Sequence, residues 1–129
     1  MTNYPSFNID VYYTRVYVVC DDDWRKIANG ILKKDGLNVD LENAEAFSLR
    51  LKNQYGCYVF FHPDAEDRCI YHEATHILMY VMDECDLSFD VNSSEPIAYL
   101  LEYIIDSIMK LKNIRNRTAF KPIKKDKNK

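Results

Sequence analysis

Two histidines and a glutamate stand close together near the middle of the chain, in the sequence His72-Glu73-Ala74-Thr75-His76. On a helix, residues four apart lie one turn apart on the same face, so both imidazoles can bind a single metal ion. The glutamate between them can accept a proton from a water molecule that the metal activates. This HExxH pattern therefore predicts metal-assisted hydrolysis, with Zn²⁺ as the metal and Glu73 as the general base.

The helix that carries this pattern keeps its polar and apolar faces apart. At 100° per residue, His76 and Glu73 lie about 40° and 100° from His72. The apolar side chains fall between about 140° and 240° from it: Ile70, Ala74, Ile77, Leu78 and Val81. We therefore expect the helix to pack on the protein body and still present the three polar residues to a cleft. A pair of surface histidines on an ordinary helix is the alternative.

The next predicted helix carries acidic side chains that could complete a metal site, since a catalytic zinc ion usually has three protein ligands and one open position. Glu95 opens this helix, and eighteen residues separate it from His76. Three more polar residues share its face to within about 40°: Tyr99, Glu102 and Asp106. Glu95 and Glu102 are therefore both candidates for the third ligand, and a solvated helix face is the alternative for Glu102 and Asp106.

An HExxH pattern followed after eighteen residues by glutamate resembles the gluzincin metallopeptidases, and the blocks HEATH and EPIAYLLEYI are similar to small zincin-like proteins of phages. The resemblance covers about residues 57–108. It implies a zinc ion bound by His72, His76 and Glu95, Glu73 as the catalytic base, and a peptide or protein as the substrate.

The resemblance is weaker around the metal ligands. Gluzincins often continue the third-ligand helix as ExxxD, where the aspartate supports a histidine ligand, but this chain has Tyr99 at that place. Tyr99 and Glu102 are therefore candidates for supporting the ligands or for stabilising an oxyanion. Cys69 could touch the site, with a buried structural thiol as the main interpretation, and His62 is interpreted as a strand-end histidine and not as a ligand. Four tyrosines near the motif include candidates for polarising a substrate carbonyl, although core and interface packing accounts for most of them: Tyr71, Tyr80, Tyr99 and Tyr103.

Three segments predict strands. Residues 8–20 are rich in Val, Tyr and Ile and predict one long strand. In residues 46–52 apolar and polar residues alternate, which predicts a half-buried strand, and residues 57–62 predict a third. By resemblance to zincins, an exposed sheet edge formed by either of the last two could align an extended peptide by strand addition.

Apolar spacing predicts three helices. The first begins at Trp24, a predicted core residue, and ends near Gly36. The others cover roughly residues 65–84, with Asp64 as N-cap, and residues 95–112. The fold class is therefore α+β: a minimal zincin-like domain with a small sheet packed on the HExxH helix and on the following, ligand-bearing helix.

Size and composition narrow the class of protein. The chain has 129 residues, of which 47% are hydrophobic, so a single domain with a real core is expected. No apolar run approaches the roughly 20 residues that a membrane helix needs, and the first residues lack the features of a secretory signal. The four cysteines form no CxxC pair. We therefore expect no membrane partner and a cytoplasmic protein with reduced thiols, in the host cytoplasm if a phage encodes it.

Charge divides the chain into two parts. From Lys110 onward there are nine basic residues and one acid, a balance of +8, whereas residues 1–109 carry a balance of −11. We expect residues 1–112 to form the domain and residues 113–129 a mobile basic tail. A solvated tail without a partner is the main interpretation, although it could contact nucleic acid or an acidic protein. The alternative to a hydrolase is a catalytically silent zincin-fold module used for binding or assembly.

Overall fold

One mixed four-stranded sheet organises the fold. The structure, a computed structural model, describes residues 4–12, 14–50, 56–86 and 94–120, with the backbone only at residues 11 and 114–120. The strands stand in the order β1-β2-β4-β3, where β1 is Ser6–Ile9, β2 is Thr14–Cys20, β3 is Ala46–Arg50 and β4 is Gly56–Phe61. The two central strands are parallel, and each outer strand is antiparallel to its neighbour. With three helices, this confirms the α+β class.

The first predicted strand is two strands. Residues 8–20 do not form one extended segment, because a 3-10 turn at Asp10–Tyr12 separates β1 from β2, and the two strands pair as a hairpin. The strands beyond β2 have only five and six residues, so a longer strand would project past its partners with unpaired backbone groups. Turning at Asp10 gives these groups partners within the hairpin instead.

The first helix, α1 (Trp24–Lys34), ends as its sequence predicts. Gly36 has a φ of 73°, the left-handed conformation that costs glycine little. Its N–H donates to the Lys33 carbonyl, and the Leu37 N–H donates to the Leu32 carbonyl. This pair of hydrogen bonds is the Schellman arrangement, which satisfies two carbonyls at the end of a helix.

The HExxH helix, α2 (Asp67–Glu84), starts later than predicted. Its N-cap is Glu66, with an extended backbone, so the prediction of Asp64 is wrong. Asp64 belongs to the preceding turn, where its N–H donates to His62 Nδ1 and the Ala65 N–H donates to the His62 carbonyl. Because the N–H groups of Asp64 and Ala65 are bonded within this turn, the helix begins after it.

The last helix, α3 (Ser94–Phe120), is longer than predicted. It continues past residue 112, where the sequence suggested that the domain ends, so the first part of the predicted tail has a helical backbone. Lys112 Nζ donates to the Ala65 carbonyl at 3.2 Å, which joins this helix to the start of α2. Residues 121–129, the rest of the predicted tail, lie outside the described residues.

Helices cover both faces of the sheet. On one face, α1 packs over a cluster that contains Trp24, which is buried as predicted, and Phe60. On the other face, α2 and α3 pack side by side on a larger cluster built from the alternate residues of the same strands. The polar histidines of α2 therefore lie at the border of this second layer. In the ranges that the structure describes, no helix combines the length and apolar character that crossing a membrane requires.

Truncation after Lys112 should leave the domain folded. The expected change is a melting temperature within a few degrees of the full chain, because the last described hydrogen bond from α3 to the rest of the protein is made by Lys112 itself, to Ala65 just before α2. Thermal unfolding at moderate salt, followed by circular dichroism, measures this shift. A drop of many degrees would instead assign the basic segment to the folded domain.

Candidate functional site

The two histidines of α2 face each other. Their Nε2 atoms are 3.3 Å apart, and their ring centroids are separated by 4.9 Å. His72 is exposed and His76 is partly buried. The predicted one-turn spacing therefore brings the two imidazoles together at the surface, with one nitrogen of each ring directed at the same place.

This separation fits two ligands of one zinc ion. Two nitrogens bound at about 2.0–2.1 Å to a tetrahedral ion lie about 3.3–3.4 Å from each other. A hydrogen bond between two neutral rings also gives a distance of this size. For the part of the chain that the structure describes, neither Nδ1 has an acceptor, whereas zinc-bound histidines usually donate this N–H to a carboxylate or a carbonyl.

Glu73 lies beside the histidine pair but is turned towards the sheet. Its side chain is buried, and Ser48 Oγ on β3 donates a hydrogen bond of 2.6 Å to Glu73 Oε1. The residue also lines a cleft of about 310 Å³ between α2 and the start of β3. The other residues that line this cleft are Glu45, Ala46, Arg68, Cys69 and His72. Glu73 and His72 thus border one small cavity, but His76, which was expected at the same cleft, does not line it.

The outer strand β3 runs next to this cleft. It pairs with β4 on one side and forms one end of the described sheet, so residues 46–50 remain the candidate peptide-binding edge. The same proposal for residues 57–62 is wrong, because β4 lies between β2 and β3 and both of its sides are paired. The sequence could not distinguish the two strands, since alternation within a strand does not reveal its neighbours.

Tyr80 and Arg50 join the histidine face of α2 to β3. The Tyr80 ring stacks beside the His76 ring with centroids 6.5 Å apart, and its hydroxyl donates to the Ser48 carbonyl at 3.3 Å. Arg50 donates to the Tyr80 carbonyl at 3.2 Å and pairs with Asp83 at 2.9 Å. Burial is the main reason that the pKa of the Tyr80 hydroxyl is raised, so this group stays a hydrogen-bond donor at neutral pH.

The acidic face of α3 stands apart from the histidine pair. Glu95 and Glu102 are both exposed, and Tyr99 is 64% exposed. Within residues 4–12, 14–50, 56–86 and 94–120, no three His, Cys, Asp or Glu side chains gather closely enough to hold a metal ion. The structure therefore pairs His72 with His76 and places Glu73 on the cleft beside His72, and neither Glu95 nor Glu102 joins them in a metal-binding group.

Cys69 lies in the cleft, but its thiol is not an activated nucleophile. Its Sγ is 3.5 Å from Glu45 Oε1. Burial and the hydrogen bond to this carboxylate raise the pKa of the thiol, which keeps it protonated at neutral pH. Cys57 on β4 is less reactive still, because burial raises its pKa to about 12. Cysteine chemistry is therefore not favoured at this site.

His62 lies outside the histidine pair. Its Nε2 is 3.1 Å from Asp22 Oδ1, and its Nδ1 accepts a hydrogen bond from the Asp64 backbone. This agrees with its interpretation as a strand-end histidine.

Tyr103, one of the tyrosines near the motif, has a structural contact, since its hydroxyl donates to the Asn8 carbonyl at 2.7 Å.

Sequence reasoning missed Ser48 and Arg50. Both alternate with Phe47 and Leu49 on β3, so the sequence pattern suggested that their face meets solvent. The helix α2 covers this face instead, and the two polar side chains bond to it. One feature of the sequence could have indicated these contacts. The β3 segment carries serine and arginine on one face, and α2 carries a glutamate at the border of its apolar arc, so the two polar edges could bond to each other.

Replacing Glu95 with glutamine tests the third ligand. We expect Glu95→Gln to weaken zinc binding by about tenfold or more, because an amide oxygen is a poorer zinc ligand than a carboxylate. Glu102→Gln, an exposed residue of the same helix, should bind zinc like the wild type. Competition with a chromogenic chelator gives both dissociation constants. The opposite ranking would place the ligand further along α3, and two unchanged constants would remove α3 from the site.

Searches against protein-family models, curated proteins and solved structures found no match to this chain.

Proposed function

We propose that this protein is a zinc-dependent hydrolase, and specifically a small peptidase. The observation that carries the proposal is the 3.3 Å separation of the Nε2 atoms of His72 and His76, on a helix whose Glu73 borders the adjoining cleft. A histidine pair at metal-ligand spacing and a buried carboxylate on the cleft beside His72 are two of the elements that metal-assisted hydrolysis uses. The resemblance to gluzincins, in a minimal zincin-like arrangement, points to the same chemistry.

In this proposal each residue has a separate task. His72 and His76 hold the metal, and Glu95, which the structure leaves exposed, is the third ligand that the sequence spacing proposes. A bound zinc ion would act as a Lewis acid that polarises a carbonyl and lowers the pKa of water. Glu73 accepts the proton from the attacking water and returns it to the leaving amine.

The substrate in this proposal is an extended peptide. The outer strand β3 begins at Ala46, which lines the same cleft as His72 and Glu73. A peptide that pairs with this strand would pass the cleft with its backbone carbonyls at regular intervals. The Ser48 carbonyl already accepts the Tyr80 hydroxyl, so pairing is best supported near Ala46 and Phe47.

A catalytically silent binding or assembly module is the second candidate. Two observations favour it: Glu95 stands apart from the histidine pair, and neither Nδ1 has an acceptor within the described part of the chain. In this case the histidines are polar surface residues and the edge of β3 serves for binding only. The basic C-terminal residues would then supply a second contact, to nucleic acid or to an acidic protein.

Hydrolysis of a peptide mixture distinguishes the two candidates. The full chain is purified, loaded with one equivalent of zinc, and incubated with a proteolytic digest of an unrelated protein, and new termini are counted by mass spectrometry. The hydrolase predicts cleavage that a chelator abolishes and added zinc restores. Stoichiometric zinc without cleavage supports the binding module, and the absence of zinc binding excludes the hydrolase.

A further inference from the structure

Glu73 has only one side-chain partner in the described part of the protein. Glu73 as a residue is 6% exposed, and Ser48 Oγ donates to Oε1 at 2.6 Å. This distance is at the short end of the range for O–H···O hydrogen bonds. The same Oγ lies 3.4 Å from the Glu73 carbonyl, so the serine contacts both ends of this residue.

Ser48 is itself held in place. It is 7% exposed and lies opposite Val59 of β4 in the strand register. Its carbonyl accepts the Tyr80 hydroxyl, and Arg50, two residues further on, donates to the Tyr80 carbonyl. The serine hydroxyl is therefore fixed by the strand on one side and by α2 on the other, and it can act as a rigid anchor.

The second oxygen of the Glu73 carboxylate, Oε2, has no hydrogen-bond donor among the described residues. Glu73 and His72 nevertheless line the same cavity. A buried polar atom without a protein partner requires water or a ligand, and here the cavity provides the space for one.

We propose that Ser48 is the positioning residue of the general base: it fixes one oxygen of Glu73 so that the other oxygen faces the cleft beside His72. Ser48 contacts neither the substrate nor the metal and acts only through Glu73. This inference rests on the proposed function for its catalytic meaning, because Glu73 needs orientation as a base only if the site hydrolyses its substrate. Its structural part concerns the carboxylate alone and can be measured without metal.

The test combines three variants with a direct probe of the carboxylate. The full chain is labelled with ¹³C at the glutamate side-chain carboxyl, and the Glu73 resonance is the one missing from Glu73→Gln. In the metal-free protein we expect Ser48→Ala to shift this resonance and Ser48→Thr, which keeps the hydroxyl, to restore it. In the zinc-loaded protein Ser48→Ala should lower kcat about ten- to a hundredfold with KM unchanged, and Ser48→Thr should recover it.

The control removes another buried hydroxyl. Thr14→Val deletes a hydroxyl that donates to the Tyr12 carbonyl in the hairpin, and it should leave the Glu73 resonance unchanged. If Ser48→Ala does not fold, Ser48→Cys replaces it, since a thiol has a similar shape but is a weak donor.

Two results overturn the inference: an unchanged Glu73 resonance in Ser48→Ala or in its substitute Ser48→Cys, or a kcat that stays the same or rises when the hydroxyl is removed. A rise in kcat would show that the Ser48 hydrogen bond restrains Glu73 and does not position it for catalysis. Because the resonance is read in the metal-free chain, its outcome is independent of whether any peptide is cleaved. The absence of hydrolysis by the wild-type chain counts against the proposed function and leaves the measured contact intact.

Discussion

Zinc affinity should fall about a hundredfold or more when either His72 or His76 is replaced by alanine. Structural zinc sites with four protein ligands bind with an apparent free energy of about 10–16 kcal/mol, so each ligand accounts on average for about 2.5–4 kcal/mol. Since about 1.4 kcal/mol corresponds to a tenfold change in affinity, one lost ligand costs roughly two to three orders of magnitude. Isothermal titration of the metal-free chain with zinc measures the loss.

The third histidine provides the control for this result. The chain has three histidines, and His62 bonds to Asp22 and to the Asp64 backbone at the end of β4. His62→Ala should therefore bind zinc with wild-type affinity, although it removes the same type of side chain. Equal affinities for all three variants would show that zinc binds elsewhere, and the 3.3 Å contact of the pair would then be a hydrogen bond between neutral rings.

The face of α2 could be predicted because its pattern is local. Helical geometry alone places His72, His76 and Glu73 on one side and the apolar arc on the other. The structure buries that arc, together with Glu73 at its border. The helix end at Gly36 was predictable for the same reason, since both of its hydrogen bonds join residues within the last turn.

Features that depend on distant segments could not be predicted. The side chain of Ser48 bonds to a helix 25 positions away in the sequence, and no pattern within β3 reveals that partner. The turn at Asp10–Tyr12 is a similar case, because the lengths of the other strands decide where a long extended segment folds back. The start of α2 differs from its prediction because of a local contact. His62 accepts hydrogen bonds from the backbone N–H groups of Asp64 and Ala65, so these residues form a turn before the helix.

The position of Glu95 shows the limit of an inference from spacing. Eighteen intervening residues are compatible with a ligand on the next helix, but spacing fixes neither the rotation of that helix nor its height along α2. Burial of Ile97, Ile104 and Ile108 sets the rotation of α3, and this rotation leaves Glu95 exposed. The packing of the apolar arc thus limits which acidic residues of α3 can reach the proposed metal site.

Glu73→Gln should retain zinc and lose hydrolysis, with turnover about 10² to 10⁴-fold lower than in the wild type. The amide cannot accept a proton, yet its oxygen can still accept the hydrogen bond from Ser48 Oγ that Oε1 accepts in the wild type. The variant therefore keeps its fold and its histidine pair while it loses the base. Zinc content by elemental analysis and the rate of peptide cleavage separate these two effects.

Glu84→Gln is the matched control for the loss of the Glu73 charge, since it removes a carboxylate from the same helix at a position 3.7 Å from Arg50 and away from the cleft. It should cleave peptides at the wild-type rate. If Glu73→Gln also keeps that rate, Glu73 is not the base, and its burial against β3 serves the fold alone. If the variant instead loses zinc, then the carboxylate is a metal ligand and occupies the position that the sequence assigns to Glu95. A loss of cleavage with full zinc content leaves general-base catalysis by Glu73 as the explanation, because the metal ligands and the supporting serine are unchanged.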